Sequence, residues 1–112
     1  MAEVELTAKP EGFEPPVACT LGAEDVPARL AEWREVLGSV TRREPIAEGL
    51  RLVLAADAPL ARLAALAVAE QQCCEFFRFA LTVDDRGLGL EVTARGEGQA
   101  VVAELFGGAA AT

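Results

Sequence analysis

Glu70, Cys73 and Cys74 stand together near the end of one apolar stretch, and Cys19 lies far upstream. On a helix, residues three and four positions apart are neighbours on one face, so both thiols of the pair can reach the carboxylate side. A carboxylate on the apolar side of a buried helix is costly unless a donor, a proton or a cation satisfies it. Thiolates from Cys73 and Cys74, joined by Cys19, would make a soft sulfur site. Such sites select Cu(I), Zn(II), Hg(II) or As(III), and the absence of histidine tilts the choice toward the most thiophilic ion. Glu70 could serve as a fourth ligand, a proton acceptor for a thiol, or a brace for the ligands. Electrostatics oppose the site: the helix C-terminus, Glu70 and Glu75 all disfavour a thiolate, and Arg78 is the closest counterweight in the sequence.

The same residues have a plainer reading. Cysteine is among the most buried residue types and often packs as a small hydrophobe. Adjacent cysteines cannot easily bond to each other while helical, because the small ring they close distorts the intervening peptide link. An odd count of three cysteines argues against a disulfide framework and fits a reducing compartment. Cys73 and Cys74 are therefore expected as thiols.

The helix carrying the pair is expected over 60–76, opened by Asp57 and Pro59. Leu60, Leu63, Leu66, Ala67, Cys74 and Phe77 share its broad apolar face. An earlier helix should run from about Glu24 to Leu37, with Pro27 in its first turn, Gly38 as terminator and a buried stripe of Val26, Leu30, Trp33 and Leu37. Between the two helices, Val40–Ile46 and Leu50–Ala56 read as strands joined at Ala47-Glu48-Gly49, with Leu50, Leu52 and Leu54 inward and Arg51 on the other side. A second hairpin follows, turning at Asp84-Asp85-Arg86-Gly87 and returning Leu88, Leu90 and Val92 to the core. Residues 99–106 form a last helix, and Trp33 and Phe106 belong to the core. With a short strand at Pro16–Leu21 the order is β-α-β-β-α-β-β-α. Hairpins interleaved with helices give an α+β two-layer sandwich, an antiparallel sheet with helices on one face, with a ferredoxin-like variant as the nearest topology. Residues 1–15 read as a loose arm, 16–107 as the single domain, and 108–112 as a frayed tail.

Composition narrows the function classes. A formal charge of −8 with ten scattered basic residues argues against direct nucleic-acid binding. The apolar run at 63–69 is too short to span a bilayer and no signal-peptide pattern opens the chain, so a cytoplasmic protein is expected. Without histidine, Ser-His-Asp triads and Cys-His dyads are excluded.

Ala69-Glu70-Gln71-Gln72-Cys73-Cys74-Glu75-Phe76-Phe77-Arg78-Phe79, with Ala18-Cys19-Thr20-Leu21, Glu32-Trp33-Arg34 and Glu104-Leu105-Phe106-Gly107, resembles the domain that follows the helix-turn-helix unit in some actinobacterial MerR-type heavy-metal-responsive regulators, a domain that also occurs alone. The resemblance implies metal sensing at Cys19, Glu70, Cys73 and Cys74. Control of transcription would then need a partner regulator chain, since these residues include no DNA-binding part. Three functions are weighed. The first is a thiol-rich domain binding a thiophilic metal or metalloid ion for sensing, buffering or handover. The second is a non-catalytic interaction or dimerisation module, a homodimer for instance, whose cysteines are core. The third is a thiol and carboxylate enzyme acting on organometal or thiol substrates.

Overall fold

The structure, a computed structural model, describes residues 22–108. The expected arm, the Pro16–Leu21 strand, Cys19 and the end of the tail lie outside those residues. A short 3-10 turn leads into α1 (Val26–Val36), and a second such turn, Leu37–Ser39, hands the chain to β1 (Val40–Ile46). Then come β2 (Gly49–Leu54), α2 (Leu60–Cys73), β3 (Arg78–Asp84), β4 (Gly87–Thr93) and α3 (Gly98–Phe106). The sheet runs β1-β2-β4-β3, and every neighbouring pair is antiparallel. This is the expected α+β architecture, built as hairpin, helix, hairpin. The two hairpins stand side by side and meet through β2 and β4, so each hairpin puts one strand in the middle of the sheet and one at its edge.

Alternation along the strands decides which sheet face meets the helices. Leu52, Leu54, Leu90 and Val92 are buried on that face, against Leu63, Leu66 and Ala67 of α2 and Val102 and Phe106 of α3. From α1 the buried residues are Trp33 and Val36, with Val26 and Leu30 only half-buried. The stripe is thus narrower than the sequence suggests, since α1 meets the core chiefly through its C-terminal half. Trp33 and Phe106 sit in the core as expected, in an edge-on pair 5.0 Å apart. Phe77 and Phe79 extend the cluster on its other sides.

Arg51 departs from expectation. It does point away from the leucines, yet it is only 3 % exposed. Its Nη1 donates to Thr82 Oγ1 at 2.8 Å and to Glu91 Oε2 at 3.4 Å. The guanidinium lies across Gly89, where any Cβ would collide with it. A glycine in β4 is what gives that cation its seat.

The β3–β4 hairpin closes with Asp84 opposite Gly87, and Gly87 takes the positive φ of 95° that its position needs. Arg86 bonds the Asp84 carboxylate through backbone and side chain. These bonds hold the Asp84 carboxyl down at about 2, below its ordinary 3.8. A depressed folded-state value adds stability above the unfolded value and loses it as pH falls through the folded one. Acid unfolding of the chain should therefore steepen between about pH 4 and 2, and Asp84→Asn should flatten that limb in a circular-dichroism titration.

Candidate functional site

Helix α2 ends at Cys73, one residue earlier than a continuous helical pair would require. Cys74 is the cap, with φ −125° and ψ 83°, outside helical geometry. Its N–H still donates to the Glu70 carbonyl at 2.7 Å, and the Phe77 N–H donates to the Cys74 carbonyl at 3.1 Å. This tight turn launches β3 and swings the two sulfurs into different surroundings. Cys73 is half-buried, whereas Cys74 is 4 % exposed and packs in the core cluster.

Glu70 is buried, as the periodicity implied, and its carboxylate is satisfied from α1. Trp33 Nε1 donates to Oε1 at 2.8 Å, and Arg29 Nη1 donates to the same oxygen at 3.1 Å. The other oxygen, Oε2, lies 3.3 Å from Cys74 Sγ. The indole ring is itself clamped, stacked on Phe79 at 5.9 Å and edge-on to Phe106. The donor and cation demanded by a buried carboxylate are thus both supplied from within the fold.

Arg29 is the residue that sequence reasoning missed. The expected counterweight, Arg78, points elsewhere and pairs with Glu48 at 2.6 Å. A signal for Arg29 was available: it lies four residues before Trp33, so both emerge on one side of α1. Burial pulls the Arg29 pKa down, but hydrogen bonding and attraction from Glu70, and then from the Cys73 sulfur, outweigh it and raise the value above normal. One guanidinium therefore faces both the carboxylate and the neighbouring sulfur.

The expectation of two thiols at 73 and 74 is overturned at one position. Cys74 is disulfide-bonded, and Cys73 is not its partner. The physical reason is the helix end: Cys74 lies outside helical geometry and is buried in the core cluster, whereas Cys73 closes the helix half-buried. A disulfide sulfur has no proton to give Glu70 and donates weakly to metals. Among the described residues no group of three or more histidine, cysteine or acidic side chains is arranged to hold a metal ion. Glu70, Cys73 and Cys74 are brought together, and Cys19 lies outside the described residues.

Cys74 and Glu70 also border a cavity of about 820 Å³ between α1, α3 and the end of α2. Its described lining is largely apolar, including Val26, Leu30, Phe76, Val101 and Leu105. No helix among the described residues is long and apolar enough to cross a membrane. Against protein-family models, curated proteins and solved structures, the chain finds no match.

Removing the Glu70 carboxylate should be felt in stability. Glu70→Ala strands Arg29 and the Trp33 N–H together and should cost about 3 kcal/mol. Trp33→Phe removes one donor but keeps an aromatic in the cluster, and should cost about 1–2 kcal/mol. Urea unfolding of both variants beside the native chain measures the difference. A Glu70→Ala chain as stable as native would mean that the Arg29–Glu70–Trp33 unit does not hold α1 to α2.

Proposed function

We propose that the reduced chain binds a thiophilic metal or metalloid ion through Cys73, Cys74 and Cys19, with Glu70 as the brace that sets the sulfurs. The observation that carries this reading is the gathering of Cys73, Cys74, Glu70 and Arg29 at the end of α2. Arg29 offsets the negative charge that two thiolates would bring to a helix C-terminus already carrying a carboxylate. The Glu-x-x-Cys-Cys-x-Phe-Phe resemblance to heavy-metal-responsive regulators supports the same assignment. Because Arg29 and Trp33 both donate to Oε1, Glu70 acts by orienting Cys74 rather than by ligating.

The disulfide state of Cys74 makes the activity conditional on reduction. A dithiol reductant would pass two electrons and two protons to the disulfide at Cys74, leaving two thiols and becoming a disulfide itself. The ion, a cargo rather than a resident cofactor, would then displace the thiol protons. Sensing or handover to a partner regulator chain fits such a reversible site.

Core packing of Cys74 among Phe76 and Phe77 favours the second reading, an interaction module, and one experiment separates the two. Reduced protein titrated with Hg(II) or As(III) should show thiolate-to-metal absorbance and protection of its thiols from alkylation, whereas oxidised protein should show neither at Cys74. Cys73→Ser and Cys74→Ser should each weaken binding by about 100-fold, and Glu70→Gln by about 10-fold. Unchanged alkylation of the reduced chain in the presence of either ion would sink the proposal. Retention of the fold in Cys74→Val would then leave the interaction module.

A further inference from the structure

Among the described residues the sheet has two open edges, β1 and β3, and they are finished differently. In antiparallel pairing, alternate residues direct both N–H and C=O to one neighbour, and the next residue directs both to the other side. Ile46 and Gly49 flank a two-residue turn and are paired, so Pro45 and Arg43 direct their backbone groups outward from β1. Pro45 has no N–H to offer, and Arg42, Arg43 and Glu44 put charge beside it. That edge is blunted against further pairing.

On β3 the same logic gives the opposite result. Asp84 pairs with Gly87, Thr82 with Gly89 and Ala80 with Glu91, so Phe79, Leu81 and Val83 direct their backbone groups outward. These are also the apolar residues of the strand. Val83 is 71 % exposed and Leu81 38 %. Val68 of α2, 58 % exposed, flanks them and lines a shallow groove with Phe79, Leu81 and Leu90. An open edge with apolar side chains and no proline is a template for another strand.

We infer that the β3 edge pairs antiparallel with the β3 edge of a second copy of this chain, about a two-fold axis through Leu81. The strand is complementary to itself in that register. Leu81 faces Leu81 of the second copy, and Phe79 faces Val83. All are residues whose backbone groups point outward, so each facing pair can exchange both N–H···O bonds. On the other sheet face Ala80 meets Thr82, and Arg78 meets Asp84, an opposite-charge pair made twice by the symmetry. Arg78 and Asp84 now hold Glu48 and Arg86 in exposed ion pairs, which are weak enough to exchange for the new partners. Joining the edges makes one continuous sheet of two copies and buries Val83, Leu81 and Val68 together. The contact uses none of the proposed sulfur ligands, although Phe79 also stacks on the Trp33 ring that bonds Glu70.

Sedimentation of the reduced chain over a wide concentration range, with residue-resolved hydrogen exchange, tests it. The expected result is a monomer–dimer equilibrium in which the amides of Phe79, Leu81 and Val83 slow as concentration rises, while those of Ala80 and Thr82, already bonded to β4, do not change. Val83→Lys alters an exposed side chain and should leave the thermal melt as it is, yet weaken dimerisation at least ~10-fold. Arg78→Asp or Asp84→Arg alone should weaken it, and the two together should restore it. A chain that stays monomeric to about millimolar concentration overturns the inference, as does a dimer that ignores Val83→Lys. Slow exchange at all three amides regardless of concentration also overturns it, by assigning the edge to another segment of the same chain.

Discussion

The Glu70 carboxylate is the constraint on which the site depends. A charge this deeply buried is tolerated only with a full set of partners, and meeting that demand dictates where α1 lies. Arg29 and Trp33 must both reach one oxygen, which sets the rotation and height of α1 against α2. The aromatic cluster then has to hold the indole at the angle that aims its N–H. Removing one member would leave the others buried and unpaired, which makes the unit cooperative. Polar specificity and apolar packing are here the same set of residues.

The sulfur chemistry inherits this arrangement. Cys73 faces the guanidinium that neutralises Glu70, and Cys74 faces the remaining oxygen of Glu70. Adjacent in sequence, the two residues sit in different electrostatic surroundings because a helix ends between them. In the reduced chain, Cys74 could donate its proton to Oε2, whereas Cys73 would have a cation beside it. That asymmetry would give the pair distinct roles at the ion proposed to bind there.

The fold was legible because its signals are local. Alternation at Leu50, Leu52 and Leu54, the Asp84–Gly87 turn and the period of Leu63, Leu66 and Ala67 each name an element and its buried face. Glu70 was legible as an anomaly for the same reason, a charge on an apolar stripe. Its partners were not, because pairing across 41 residues with Arg29 follows from tertiary packing, and Arg78, nearer in sequence, is carried off by the turn into β3. The burial of Arg51 escaped notice because it rests on a missing side chain at Gly89 in another strand. The disulfide at Cys74 escaped because its geometry depends on where the helix stops, and residue-level boundaries are the least determined feature of a hydrophobic pattern.

The backbone bond from the Cys74 N–H to the Glu70 carbonyl makes no use of sulfur. It ties the cap residue to the helix in the same way whether Sγ is bridged, protonated or carrying a guest. The reduction proposed at this corner would leave that bond in place, so a change of state at the sulfur would need no refolding of α2.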